Sequence, residues 1–411
     1  MDSAQSIIDI NCNPPPERNK RLSRLQCLRC NKAFELDDLH IDSGLGCDSC
    51  LAEGYPVNLT CVYDSDNLSV DKTNSGMFRF AKNLPYLNFP SLGEGGTALV
   101  SFPRLAVQMG VKRVLVKNEG QNPTGSHKDR MSPLAIARAM AAGYTKVVAS
   151  SSGNAGASLA SYAAQAGLQC CIIGDTDISS AWENAIRLAG AELKLVAGKE
   201  RWPLMQRMVQ EQGWFPVTNF HSPPVGSNPF GIEGYKTIAY EIIEQAQDAP
   251  PTCVVIPTCR GDMLYGIWRG FADAEESGLI ESAPQLVAVE PAARLELVLQ
   301  GKDYRQSFPI DPNDMTSIDG ATATYQSFHA LKESDGLAVS VTSSNARTAQ
   351  RQLAENGLHV ELSSAAALAG LWKARQVGHL NANDRVLLIA TSHGYKELSA
   401  PPRQTGARLC N

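Results

Sequence analysis

Along most of this chain, short apolar runs alternate with amphipathic stretches, and few architectures accept that alternation. The apolar runs predict strands at 114–116, 146–149, 169–173, 193–196, 253–256, 286–289 and 385–390. Between them, apolar residues at helical spacing predict helices at 133–142, 155–166, 182–189, 203–212, 233–247, 263–276, 347–355 and 365–376. Gly143, Gly167, Gly190 and Gly213 each follow one of these helices, where a left-handed residue ends the last turn. Parallel strands need a crossover between them, usually a helix, so the pattern predicts an α/β chain with a largely parallel sheet. At 411 residues the chain is long enough for two or three cores. No internal repeat or long low-complexity tract interrupts it.

Charge and cysteine usage narrow the class. The net charge of −5 gives no reason to expect nucleic acid or an anionic membrane as partner. No apolar run reaches the length of a membrane span, and the polar start, with Pro14, Pro15 and Pro16, has no signal-peptide pattern. A cytoplasmic location is the expectation. There the 11 cysteines read as thiols or metal ligands rather than disulfides. Cys27 and Cys30 form one C-x-x-C pair and Cys47 and Cys50 another, with sixteen residues between the pairs. Two such turns offer four thiolates to one tetrahedral ion, so a structural zinc or iron site is expected, with free thiols as the alternative. Asn31 and Leu51 stand after the pairs, where glycine often eases the turn.

Two segments carry the chemistry. NPTGSHKDR at 122–130 sets Lys128 in a glycine-containing turn before an alanine-rich helix. A cofactor aldehyde needs a lysine amine on a defined backbone, and Gly125 permits close approach. SSGNAG at 151–156 lies between a strand and a helix, where free N–H groups favour an anion and the Asn154 amide can meet an oxygen on a planar ring. Plainer readings stand beside these: a solvated lysine, and an ordinary Ser/Asn helix cap.

Seven motifs in order resemble threonine synthase and its relatives among the tryptophan-synthase-β-like, fold type II, pyridoxal-phosphate (PLP) enzymes. They are LGEGGTALV (92–100), NEGQNPTGSHKDR (118–130), SSGNAGASLASYAAQAG (151–167), NPFGIEGYKTIAYEI (228–242), IPTCRGDMLYGIWRGF (256–271), VELSSAAALAG (360–370) and IATSHGYKE (389–397). The resemblance implies two open α/β domains with mainly parallel sheets, the cofactor in their cleft, and a small N-terminal zinc-ribbon-like unit. The expected division is an arm and ribbon at 1–65 with the arm, 1–20, mobile. A large PLP-binding domain follows at 66–135 and 226–397, a smaller domain at 136–225 and a tail at 398–411. Lys128 would bond PLP and, once freed, remove the substrate α-proton. Asn154 would face the ring hydroxyl, Thr391 the ring nitrogen, and Arg260 and Gly261 the phosphate. Ser151, Ser152 and Gly153 would gather the α-carboxylate of a small amino-acid substrate, with Thr97 and His127 nearby. A homodimer is also implied.

Three departures bear on the substrate. The phosphate loop is Thr258-Cys259-Arg260-Gly261-Asp262-Met263, with one glycine and an acid. Val225 and Gly231 stand where threonine synthases carry a polar residue and an arginine for the phosphate of O-phosphohomoserine. His127 replaces an aromatic residue, and either tunes the lysine, binds substrate or packs as a ring. The expected activity is β/γ-elimination or replacement, threonine-synthase-like. The alternatives are another activated amino acid (phosphoserine, acetylserine or diaminopropionate) and an inactive regulatory or scaffold homologue. A dinucleotide oxidoreductase is disfavoured because no G-x-G-x-x-G follows the first strand.

Overall fold

The computed structural model describes residues 14–64 and 67–397. The expected tail at 398–411 lies outside the described residues, as do residues 1–13 of the expected arm. Residues 14–20 depart from that reading. Asn19 is buried, its backbone N–H bonds Pro85 O (2.9 Å), and Glu17 O accepts from Leu87 N (2.8 Å).

Among the described residues, thirteen strands form three sheets. The first is small and antiparallel, in the order β2-β1-β3: β1 Leu22–Cys27, β2 Ala33–Phe34 and β3 Leu59–Tyr63. The largest contains β4 Leu99–Ser101, β5 Arg113–Asn118, β10 Cys253–Pro257, β11 Gln285–Glu290, β12 Leu337–Ser340 and β13 Arg385–Ala390. Its order is β12-β11-β10-β13-β5-β4, parallel except for β4 against β5. The third contains β6 Lys146–Ser150, β7 Gln169–Asp175, β8 Glu192–Val196 and β9 Phe215–Pro216, all parallel, in the order β8-β7-β6-β9.

The expected strands fall inside β5, β6, β7, β8, β10, β11 and β13. Their central residues, such as Val254–Ile256 and Val386–Ile389, are wholly buried, because helices cover both faces of a parallel sheet. Gly167 and Gly213 cap their helices at φ +73° and +68°, as the spacing requires. The two-residue β9 and the edge strands β4 and β12 escaped the sequence pattern, since runs of two to four residues carry too few side chains to show a period.

The N-terminal unit is fastened to the α/β body by buried polar contacts. Arg138 Nε and Nη2 each donate at 2.7 Å to the Asp42 carboxylate. Tyr63 Oη donates to Glu233 (2.8 Å), and Asn58 Nδ2 bonds Gln326 Oε1 (2.9 Å). Among the described residues, no helix is long and apolar enough to cross a membrane.

Candidate active site

The segment after β5 is folded tightly before it reaches Lys128. Asp129 accepts from both the N–H and the hydroxyl of Thr124 at 2.6 Å, which closes the loop. Gly125 has φ +79°, and a Cβ there would lie 2.3 Å from the His393 ring, so glycine is required for conformation and for space. Ser126 then bridges to Ser392, just beyond β13, and its Oγ accepts from Lys128 N (3.4 Å). Lys128 thus sits in a short 3-10 turn, His127–Arg130, at the carboxyl end of the central strand β13.

Beneath that turn lies a buried ion cluster. Arg130 donates to Glu119 (2.7 and 2.9 Å) and to Glu241 (2.5 and 3.0 Å), and Lys117 Nζ donates to Glu241 (2.6 Å). Burial pushes the Glu241 carboxyl up, but the cations Arg130 and Lys117 outweigh it and bring it down to about 2. The cluster therefore stays ionised and fixes the turn from behind.

Lys128 faces a cavity of about 270 Å³ between the carboxyl ends of the two parallel sheets. One wall is the loop after β6. Ser151 Oγ accepts from Gly153 N (3.3 Å) and Gly156 N (2.9 Å), and Ser152 Oγ from Asp175 N (2.6 Å). These bonds shape the start of the helix Asn154–Ala166. The Asn154 amide is oriented by four partners. Its Oδ1 accepts from Lys396 Nζ (2.6 Å), Trp182 Nε1 (3.3 Å) and Ser392 Oγ (3.4 Å), while Nδ2 donates to Glu361 (2.9 Å).

The opposite wall is the loop from Thr258 into the helix Asp262–Glu276. Arg294 Nη2 donates to Thr258 O (3.1 Å) and Thr324 Oγ1 to Arg260 O (2.7 Å). In a trans peptide the next N–H points the other way, so the Cys259 and Gly261 N–H groups face away from those anchors. Gly261 has φ +80°, with Ser327 Cβ 2.3 Å from where a Cβ would stand. Asp262 is turned aside: it accepts from Ser227 N (3.2 Å) and Oγ (2.6 Å) and from Gln326 Nε2 (2.5 Å).

Burial lowers the pKa of the Lys128 ammonium, with nearby Asp262 and Cys259 opposing. Its Nζ lies 3.4 Å from Tyr235 Oη. His127 is held far below the usual imidazole range, by burial first and then by Lys128. Thr391 O accepts from His127 N (2.9 Å) and from Nδ1 (3.1 Å), so the ring is neutral with Nδ1 protonated and Nε2 free to accept.

Lys128, His127, Ser151, Ser152, Gly153, Asn154, Arg260, Gly261 and Thr391 all line this one cavity. Thr97 does not. It is buried in the ion cluster, donating to Glu119 (2.7 Å) and accepting from Arg130 (3.2 Å), which makes it a brace of the lysine turn. The sequence reading did not single out Tyr235, Glu361 and Lys396, although all three lie within the quoted motifs. Trp182 and Arg201 also line the cavity and carry no motif signal. Cys27, Cys30, Cys47 and Cys50 converge elsewhere, their sulfurs all within 4.8 Å of one another.

The profile of the family described as "Pyridoxal-phosphate dependent enzyme" matches residues 90–392, which holds every cavity residue. The chain belongs to this family. Within it, a threonine synthase of Synechocystis is 32% identical, over 78% of this chain and 81% of the relative. One of Methanocaldococcus jannaschii is 29% identical over 92% of this chain and 94% of the relative. Among solved structures, the diaminopropionate ammonia lyase of Escherichia coli superposes with a TM-score of 0.63 at 21% identity, covering 75% of this chain and 87% of the other. That likeness shows the fold alone. The protein is a PLP-dependent enzyme of fold type II, related to threonine synthases. The donor set fits PLP: a buried amine for the aldehyde, an oriented amide for the ring, and a helix start with an arginine for the phosphate.

Proposed function

We propose that the enzyme carries out elimination or replacement at the side chain of an activated amino acid, in the manner of a threonine synthase. The observation that carries this reading is a single cavity joining the Lys128 amine, the oriented Asn154 amide and the N–H-rich start of the helix Asp262–Glu276. Bound PLP would supply an electron sink for the pair released from the substrate α-carbon. Lys128 Nζ would anchor the cofactor and then take the α-proton, a role that its lowered pKa suits. Asn154 Nδ2 would donate to the ring oxygen. The Thr391 hydroxyl would meet the ring nitrogen as a neutral partner, which does not enforce protonation there. Arg260 and the N–H groups from Gly261 onward would hold the cofactor phosphate. The loop Ser151–Gly153 would hold the α-carboxylate, and His127 Nε2 would accept from a substrate or water proton.

The test is direct. Purified protein should show the absorbance of lysine-bound PLP, fixed by borohydride at Lys128. Incubation with O-phosphohomoserine, O-phosphoserine, O-acetylserine and diaminopropionate should release phosphate, acetate or ammonia from at least one. Unchanged spectra with all four would overturn the reading. A substrate other than O-phosphohomoserine is favoured by one observation. A Cβ on Gly231 would sit 3.0 Å from Met131 Cγ and 3.2 Å from Ala135 Cβ, so this position contributes no arginine and has no room for one.

The cysteine cluster we read as a structural zinc site. The sulfurs of Cys27 and Cys50 are 3.6 Å apart and those of Cys30 and Cys47 3.7 Å, close to the edge of about 3.8 Å for a tetrahedron with 2.3 Å bonds. Arg29 N and Cys30 N point at Cys27 Sγ (3.4 and 3.5 Å), as donors to a thiolate should. Asn31 takes φ +60°, the left-handed conformation glycine would ease, and its Oδ1 accepts from Gln26 (3.0 Å). Elemental analysis without chelator tests this. Likeness to its relatives supports a homodimer, tested by sedimentation, and the nine described free thiols accord with a cytoplasmic location, tested by fractionation.

A further inference from the structure

The fully buried arginines among the described residues are each paired with an acid. Arg130, Arg138 and Arg294 are bonded to Glu119 and Glu241, to Asp42 and to Glu290. Arg201 and Arg260 are different. Both line the cavity, and the Nε of each is buried without a hydrogen-bond partner. Neither has an ion-pair partner among the described residues. They enter from opposite sides: Arg201 opens the helix Arg201–Gln212 after β8, and Arg260 belongs to the loop after β10. Arg260 stacks over the ring of Trp202, the residue next to Arg201, 5.0 Å from its centroid.

The acids at the cavity do not compensate them. Asp262 is bonded by Ser227 and Gln326, and Asp319 is exposed, accepting from Gly320 N (2.9 Å) and Asn313 Nδ2 (3.0 Å). The pKa of Arg201 is lowered, by burial first and then by the charge of Arg260, with Asp175 opposing. Two half-buried guanidinium groups near each other, each with a shielded Nε, are costly unless anions meet them. The cofactor phosphate, on the reading proposed above, satisfies Arg260 and the adjoining helix start. Arg201 is left over.

We propose that Arg201 determines substrate specificity by binding an anionic group at the far end of the substrate side chain, of the phosphate-ester class. The inference rests on the PLP reading of this cavity. It assigns to the helix after β8 the charge that Gly231 does not supply. A guanidinium offers a fork of donors matched to a phosphoryl oxygen pair, and Arg201 presents it from the same wall as the loop Ser151–Gly153, facing the loop that carries Arg260.

The test uses the PLP-loaded enzyme, with cofactor content read first by absorbance. Absence of bound PLP in the wild type would strike the reading of the cavity, not the assignment of Arg201. Inorganic phosphate is then titrated into the wild type, Arg201→Gln and Arg201→Lys, followed by calorimetry. The Gln variant should bind phosphate about 10- to 100-fold more weakly, the range for losing a charged hydrogen bond, with partial recovery in the Lys variant. In turnover, the ratio of kcat/KM for O-phosphoserine to that for O-acetylserine should fall by a similar factor in Arg201→Gln. Phosphate affinity unchanged in Arg201→Gln, or equal losses on both substrates, would overturn the assignment. Melting temperatures close to wild type in both variants separate these effects from misfolding.

Discussion

Lys128 gains its chemistry from its surroundings, and two predictions belong to that single residue. Replacing it with Met should abolish the lysine-bound PLP absorbance and cut turnover at least about 10²- to 10⁴-fold, the usual range for a positioned proton carrier. The fold should survive, because removing a buried amine whose ammonium is disfavoured leaves no charge unpaired. The capture of PLP by apoprotein needs the neutral amine, so its rate should level off at an inflection below the ordinary lysine value of about 10.4. A stopped-flow pH profile following the free-lysine curve instead would contradict this. The sign for stability is the same: the unfolded chain holds the Lys128 proton to higher pH, so this residue favours folding increasingly as pH rises through that window. Glu241 has a different pH dependence. Its carboxyl titrates at about 2 in the folded chain, below an unfolded value of roughly 4.3. Its contribution is complete above the unfolded value and is lost as pH falls towards the folded one. Glu241→Gln should cost about 3–5 kcal/mol near neutrality, since it breaks a buried pair. In urea unfolding, the gap from wild type should narrow as pH drops from 5 to 3 and continue to narrow towards pH 2.

Elements meet here by close backbone approach, and glycine marks where. A Cβ on Gly234 would lie 1.8 Å from Arg130 O, so the run of turns entering the helix Lys236–Gln245 presses directly on the end of the lysine turn. Gly234→Ala should therefore destabilise by about 1–3 kcal/mol and loosen PLP binding as well, measured by thermal unfolding and cofactor titration on the same variant. At Asn31 the strain is local: Asn31→Val should cost about 1–2 kcal/mol and leave PLP content unchanged, while Asn31→Gly should be tolerated. Much at this scale was legible beforehand. Helices at 155–166 and 263–276 and the seven strands β5, β6, β7, β8, β10, β11 and β13 followed from apolar patterning, because buried parallel strands are uniformly apolar, whereas β1 and β3 of the antiparallel N-terminal sheet did not. Lys128, Asn154 and Thr391 were legible from their motifs. Thr97 was not, because a loop hydroxyl reads the same in sequence whether it faces a ligand or an ion cluster assembled from Lys117, Glu119, Arg130 and Glu241. Arg201 was invisible for the opposite reason: the absence of a carboxylate partner is a property of three dimensions.

At the scale of the whole molecule, the N-terminal unit acts as a clamp. Through Arg138 and Asp42 it is bonded to the helix Ser132–Ala141, which follows the lysine turn directly. On the zinc reading proposed above, a chelator should therefore lower the melting temperature of the entire chain in one transition. Two separate transitions in calorimetry would show instead that the unit folds alone. Assembly of the larger sheet has its own order. β13, the last strand among the described residues, lies in the middle, flanked by β5 and β10. A nascent chain on the ribosome must hold both neighbours apart, with unsatisfied edges, until residues 385–390 leave the exit tunnel. Translation stalled short of that point would leave a species that aggregates or calls on a chaperone, and the cleft that takes the cofactor could form only once β13 is in place.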